Sequence, residues 1–322
     1  VDWRGERDAA LLVLERPDRD ERAKAAETLH RLATEDDERW EELAALIPRL
    51  IDDAQPDVRR AGLAIAALTL DPEDAERVLA ARLTDADEEV RLEAAGQLAD
   101  LVRSSARGVL AAALEDSSLH VRFEAARGMV ALQHSAGLGV LFEALGDDEL
   151  RFRALGALGD LGDPQAIPEV ERVFKRWFLA GFERTQAAGA LAKLGQEEGT
   201  RHLFERAKKR WSMDRALAIE LLGEVKAAGA RERLLEILQA PEDPHRGAAA
   251  RGLAKLKDLS VMADLGQVLL DAKTPDDVRL DMAEALCALD EGAARSLLER
   301  AALLIPPGEA RTELQALLQT HG

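Results

Sequence analysis

Tyrosine is absent from this 322-residue sequence, and aromatic residues reach only 3%. So few rings suit helices packed through Ala and Leu better than a sheet core, where aromatic and β-branched side chains concentrate. Cysteine occurs once, at Cys287, which excludes internal disulfides and Cys-rich zinc sites. Its place beside Leu286 reads as a small apolar filler. Positive charge is in the minority, 43 Lys and Arg against 61 Asp and Glu, for a net charge of −18. That balance favours solubility and opposes general affinity for nucleic acid. The longest uncharged apolar run, 61–70, falls well short of the ~18–20 residues that cross a bilayer, so no membrane insertion is expected. No secretory signal is visible in a chain that opens on Val1, and a cytoplasmic, bacterial-type setting is the expectation.

Catalytic signatures are missing as well. The six His residues (30, 120, 134, 202, 245 and 321) are dispersed and none is followed by Glu, which disfavours a zincin helix. No Walker motif, nucleotide fingerprint or nucleophile elbow occurs; Gly156-Ala-Leu-Gly-Asp-Leu-Gly162 has the wrong spacing for a fingerprint and falls at a helix end. Carboxylates are plentiful, but at helical spacing they read as a solvated face. No catalytic residue, metal ligand or cofactor is assigned on this basis.

A repeat is what the sequence does contain. From Arg91, steps of three, four and three reach Ala94, Leu98 and Leu101 and place them on one helical face. The register recurs from Arg22, Arg122, Arg151, Arg184, Arg215, Arg246 and Arg279, with looser copies from Arg59 and Arg311. Successive anchors lie 37, 32, 31, 29, 33, 31, 31, 33 and 32 residues apart, and a period this steady marks an array rather than a globular core. Each anchor helix follows a second apolar stretch and a short acidic turn such as Thr84-Asp-Ala-Asp-Glu-Glu89, where Asp can cap the next helix. Small residues after the anchor, as in Ala94-Ala95-Gly96, let neighbouring helices approach closely.

The pattern resembles the HEAT repeat, in the short bacterial form also found in phycobilin lyases. The residues that carry the likeness are the turn Asp, the pairs Val58-Arg59, Val90-Arg91, Val121-Arg122 and Val278-Arg279, and the Ala and Leu positions after them; it covers roughly residues 5–320. The resemblance implies an all-α fold, a right-handed α-solenoid of about ten HEAT-like helix pairs. It implies one repeat domain over 1–322, regular at 20–165 and 228–322 and divergent at 166–227. It further implies that the second helix of each pair lines a concave face and that turn Asp and anchor Arg form a ladder between repeats. Asp53, Asp85 and Asp116, six before their Arg, match; the later repeats depart, so a continuous ladder is not expected there. The dispersed His residues lack the His-Glu iron sites of deoxyhypusine hydroxylase, a catalytic member of this repeat class.

In order along the chain, residues 5–15 and 20–33 read as the first pair, and 37–53 as a longer outer helix with Trp40 filling the core. Gly162 suits a left-handed cap and Pro164 the start of the next helix. Turns are expected at 241–244, 274–277 and 306–308, and Glu313, Gln315 and Gln319 suit a polar end cap.

Residues 171–215 differ from the rest. Eleven Lys or Arg stand there against six Asp or Glu, with six of the chain's eleven Phe and Trp. The acidic turn gives way in two successive repeats to Lys175-Arg-Trp-Phe-Leu-Ala-Gly-Phe182 and Lys208-Lys-Arg-Trp-Ser-Met213. Equivalent turns stack along one edge of a solenoid, which places these two on the order of 10 Å apart. Two readings compete. In one, Ile167, Val170, Phe174 and Trp177, then Phe204, Ala207 and Trp211, run at helical spacing and are core, with the cations a solvated rim. In the other, Lys175, Arg176, Trp177, Phe178, Phe182, Lys208, Lys209, Arg210 and Trp211 form one binding zone, since Trp and Arg dominate hot spots. Phe174 and Phe204 belong to the core either way.

The first functional reading is a non-enzymatic scaffold, expected to be monomeric, that binds a protein or acidic peptide through the concave face and this basic, aromatic edge. The second, resting on the resemblance, is a HEAT-like DNA glycosylase or nucleic-acid binder; the overall acidity makes nucleic acid the weaker partner. The third, from repeat type alone, is a phycobilin lyase-like subunit.

Overall fold

The computed structural model describes residues 2–305 and 308–320. Among these residues every regular element is helical. Two compact units form, Val1–Leu161 and Gly162–Gly322.

In the first unit, α1 (Trp3–Leu14) pairs with α2 (Arg19–Glu35), and α3 (Trp40–Ala44) with α4 (Ile47–Ile51) precede α5 (Pro56–Thr69). The pairs α6 (Pro72–Arg82) with α7 (Glu88–Leu101), α8 (Arg107–Ala113) with α9 (Leu119–Ala131), and α10 (Leu138–Ala144) with α11 (Arg151–Leu161) complete it. The second unit continues with α12 (Ile167–Phe174) and α13 (Gly181–Lys193), α14 (Glu197–Lys208) and α15 (Arg215–Glu224), and α16 (Ala230–Leu238) and α17 (Arg246–Leu256). It ends with α18 (Met262–Leu270) and α19 (Asp276–Leu289), then α20 (Glu291–Leu304) and α21 (Glu309–Thr320). All ten anchor arginines fall on second helices. The fold is an α-solenoid of stacked pairs, as expected.

Local chemistry starts these helices. Asp18 accepts the Glu21 amide at 2.8 Å, and Asp87 accepts those of Glu89 and Val90 at 3.0 and 3.3 Å, which satisfies N–H groups that a helix start leaves free. Gly162 takes a φ of +69° after α11, and Pro164 opens the following turn behind an Asp163 cap. The turn at 241–244 falls between helices; of 274–277 only Thr274 and Pro275 do, since Asp276 and Asp277 already form the first turn of α19. Residues 306 and 307 of the third expected turn lie outside the described residues. Glu313, Gln315 and Gln319 are exposed on α21.

Within each unit, a second helix packs on its pair partner and on a neighbouring second helix, as α7 does on α6, α5 and α9. The seam is Ala and Leu: Leu63, Leu79, Val90, Ala94, Leu98, Ala125 and Met129 are fully buried in one cluster. Cys287 lies half-buried on α19. Burial, with Glu291 and Glu284 nearby, pushes its thiol above the ordinary range, which suits a filler rather than a nucleophile.

The ladder is present in the first unit. Arg22 donates to Asp53 at 2.6 Å, Arg59 to Asp85 at 2.7 Å and Arg91 to Asp116 at 2.8 Å. The Arg that follows each Asp grips the same turn through its backbone, Arg59 on the Asp53 carbonyl at 2.9 Å and Arg91 on that of Asp85 at 3.0 Å. Burial works against the charged form of Asp85 and Asp116, but the guanidinium bonds and a backbone amide outweigh it and hold both carboxyls below the usual range. The series ends with Arg122 on Glu143 at 2.7 Å. In the second unit most anchors grip carbonyls instead: Arg184 those of Phe174 and Arg176, Arg246 that of Leu238, Arg279 that of Asp271. Arg215 forms an acid rung there, on Asp243 at 2.7 Å.

One expected helix is broken. Residues 37–53 form a 3₁₀ turn (Asp37–Arg39) followed by α3 and α4. Pro48 sits in the first turn of α4, where its missing N–H costs nothing; inside a longer helix it would remove a hydrogen bond and clash with the preceding turn. Trp40 is partly exposed rather than core. Its indole N–H donates to the Ala33 carbonyl at 2.9 Å, near the end of α2.

Candidate functional site

The divergent turns of the second unit are built from their helix ends inward. Helix α12 stops at Phe174, which is buried and meets the His202 ring edge-on at 5.2 Å. Arg184, one helix on, donates to the Phe174 carbonyl at 2.6 Å and to the Arg176 carbonyl at 2.7 Å. These bonds satisfy carbonyls the helix end leaves open and fix the turn that follows. Helix α14 is terminated the same way: Arg215 and Arg233 both donate to the Ala207 carbonyl, at 2.8 and 3.1 Å.

Asp214 joins the two turns. It is buried, and it accepts from Thr185 of α13 at 2.6 Å, from Arg206 of α14 at 2.8 Å and from Ser212. Burial alone would raise its carboxyl, but the hydrogen bonds from Arg206, Ser212 and Thr185 hold it far below the usual carboxylate range. Gly181, which opens α13, faces this carboxylate: a Cβ there would stand 3.6 Å from Asp214 Oδ2 and 3.8 Å from Arg206 Nη2. The two turns therefore adjoin at Gly181 and Asp214, as their positions in the repeat predict. His202 lies behind them; burial first, then Arg206, Arg184 and Lys209, lower its pKa, so it stays neutral near pH 7.

The aromatics of these turns point outward. Trp177 is 86% exposed, Phe178 95%, Phe182 53% and Trp211 83%. The reading that Trp177 and Trp211 continue a core stripe is thus corrected. α12 and α14 end before them, so the helical period no longer applies; Phe174 is core, while Phe204 is only half-buried. Met213, in the second turn, is fully exposed as well. Trp177 meets Phe178 edge-to-face at 6.4 Å, and the Arg210 guanidinium lies 5.3 Å from the centre of the Trp211 ring.

The cations differ in how they are held. Lys175 pairs with Glu171 at 2.6 Å and Lys208 with Glu205 at 2.9 Å, both exposed pairs that solvent screens. Arg210 donates to the Glu242 carbonyl, which aligns it over Trp211. Arg176 and Lys209 have no ion-pair partner among the described residues. All nine residues singled out from the sequence thus lie on these two neighbouring turns or on the first turn of α13. The sequence reading missed the residues that set them, Asp214, Arg206 and Thr185, and the exposed Met213. A local signal existed for Asp214, which stands directly before an anchor Arg in place of the usual Asp six residues earlier.

Ion pairs run along second helices in both units. In the first unit Arg127 donates to Glu124 at 2.7 Å, to Asp100 and to the Gly96 carbonyl, and Arg153 reaches Glu124 at 2.6 Å. A groove of about 300 Å³ runs beside them, with Arg60, Glu93 and His120 among its walls. In the second unit Arg251 bridges Glu220, at 2.9 Å, and Asp281. Among the described residues no group of His, Cys, Asp and Glu is arranged to hold a metal ion, and no helix is long and apolar enough to cross a membrane.

No curated protein matches the chain. Among solved structures, an engineered protein is 18% identical with a TM-score of 0.41, covering 98% of both chains. The CpcE–CpcF complex of phycocyanin lyase from Nostoc sp. PCC7120 is 19% identical with a TM-score of 0.48, over 78% of this chain and 95% of that one. Human deoxyhypusine hydroxylase in complex with glycerol is 20% identical with a TM-score of 0.33, over 78% and 97%. The sequence model for HEAT repeats matches residues 75–151, 106–177 and 212–287, together more than half the chain. With ten helix pairs and an arginine ladder beside those matches, this chain belongs to the HEAT-repeat family.

Proposed function

We propose that the chain is a non-enzymatic scaffold that captures a protein or acidic peptide, with the turns at 175–182 and 208–213 as its contact zone. The observation that carries this reading is the near-complete exposure of Trp177, Phe178 and Trp211 on adjoining turns that also hold Lys175, Arg176, Lys208, Lys209 and Arg210. Rigid aromatic side chains lose little entropy on binding and bury a large area, and neighbouring cations steer an acidic partner into place. The solenoid supports such a role because its seam is buried between neighbours and its turns stay free. Nucleic acid fits less well. Arg127, Arg153 and Arg251 on the second helices are already matched by carboxylates, and the chain as a whole is strongly acidic.

A pull-down from native lysate with the Lys208→Glu/Lys209→Glu/Arg210→Glu variant as control tests the proposal. Reversing three charges should abolish partner capture while the helical circular dichroism stays unchanged. Undiminished capture by the folded variant would remove these turns from the binding surface.

A further inference from the structure

We propose that the contact zone has a docking slot on a second copy of this same chain: the turn carrying Trp211 enters an apolar groove between α6 and α8. The inference rests on the reading of 208–213 as a contact surface and names its occupant.

The groove lies in the first unit, where two first helices of adjoining repeats run side by side. Ala80, Leu83, Val109 and Ala112 line it, Glu115 and Asp116 stand at its rim, and its volume is about 240 Å³. Its walls are outward parts of the core: Ala80, Leu83 and Val109 pack against the buried cluster and stay partly exposed. It opens at the ends of first helices, beside the turns that lead to the second ones. Trp211 occupies the equivalent place in a divergent repeat of the second unit, on the turn after the first helix α14. One chain thus carries an apolar slot with an acidic rim and an exposed indole with basic neighbours, at matching positions of its repeats.

Chemistry selects Trp211 over Trp177. A slot of about 240 Å³ takes one ring system, and Trp177 is paired edge-to-face with Phe178. Trp211 stands without a second ring and carries Arg210 over its face. Seating the indole would bring Arg210, Lys208 and Lys209 to the rim, where Glu115 is exposed and makes no ion pair among the described residues. Asp116 is engaged by Arg91, so Glu115 and the field of the first unit supply the attraction. That unit holds 35 Asp and Glu against 20 Lys and Arg, a net −15, which draws a basic turn toward it and disfavours like-charged surfaces. Since Trp211 is exposed in the single chain, the slot is filled from another molecule. The contact pairs two different surfaces, so each copy has one to give and one to receive. This departs from the monomer expected from sequence.

Sedimentation velocity of the full chain and two folded variants tests it. Trp211→Ala removes the insert, and Ala112→Arg, at an exposed position, blocks the slot. The wild type should self-associate in a concentration-dependent way that weakens with added salt. Each variant alone should associate at least ~10-fold more weakly, as loss of one hot-spot side chain implies. Mixing the two variants should restore a complex, because one retains the slot and the other the insert. A wild type that stays monomeric to ~100 μM, far above the range of a specific contact, would overturn the proposal. So would association that Ala112→Arg leaves intact, or a mixture that forms no complex. If the wild type is monomeric while charge reversal still abolishes lysate capture, the self-docking falls and the contact zone stands.

Discussion

Asp214→Ala should lower the stability of the second unit by roughly 3 kcal/mol, as removal of one partner from a buried charged network does. Three groups depend on that carboxylate. Thr185 is fully buried, Arg206 is largely so, and Ser212 closes the turn. The alanine variant leaves Thr185 without its acceptor and Arg206 with only the Ser212 hydroxyl, and the cost of an unpaired buried donor exceeds what the bond itself contributes. Asp214→Asn keeps an acceptor for Thr185 and should lose about half as much. Urea unfolding followed by circular dichroism measures both. The same carboxyl makes the effect depend on pH. Its folded pKa is depressed, so its contribution is complete above the unfolded value of about 3.9 and is lost as pH falls toward the lower folded one. The gap between wild type and Asp214→Ala should therefore be constant near pH 7 and narrow below about pH 4. A gap that persists unchanged into acid would mean that the side chain acts by packing alone.

The second large effect comes from a close approach of two backbones. Gly223 on α15 faces Gly252 on α17, and a Cβ on Gly223 would run into the Gly252 carbonyl. Backbone cannot yield as a side-chain tip can, so Gly223→Ala should destabilise by about 2–3 kcal/mol. The sign is the informative part. In an unobstructed helix the same change stabilises by about 0.5–1 kcal/mol, because Gly loses more conformational freedom on folding. Gly139 on α10 has nothing within 4 Å of its Cβ position, so Gly139→Ala should move the other way. Thermal unfolding of the two variants distinguishes a solenoid packed helix backbone to helix backbone from one held by side chains only.

The architecture was legible in the sequence because its cause is local and recurs. Arg91, Ala94, Leu98 and Leu101 announce a helix face by their own spacing, and the same register returns in seven further copies, with two looser ones. The Asp85–Arg59 rung was legible through the resemblance to HEAT repeats, which Asp53, Asp85 and Asp116 carry by standing six before their Arg. What failed to show was set by residues from other helices. Trp177 and Trp211 continue a helical period in the sequence, and no Gly or Pro marks a stop before them. The stops are made by Arg184 and Arg215, reaching back from the following helix to the last carbonyls. Asp214 gathers α13, α14 and α15 through contacts spanning up to 29 residues, beyond any local pattern. The break in 37–53 was visible in Pro48, but an apolar stripe running through it outweighed that mark.

Both the exposed edge and the contact zone stand on where two tryptophans lie, and fluorescence reads this directly. In the Trp3→Phe/Trp40→Phe variant only Trp177 and Trp211 emit. At dilution low enough to keep the chain monomeric, the free protein should show a red-shifted, water-exposed emission with acrylamide quenching close to that of free indole, and a captured partner should shift the band to the blue and protect it. Blue emission with strong protection in the free chain would place those rings in the core and leave the edge without its anchors.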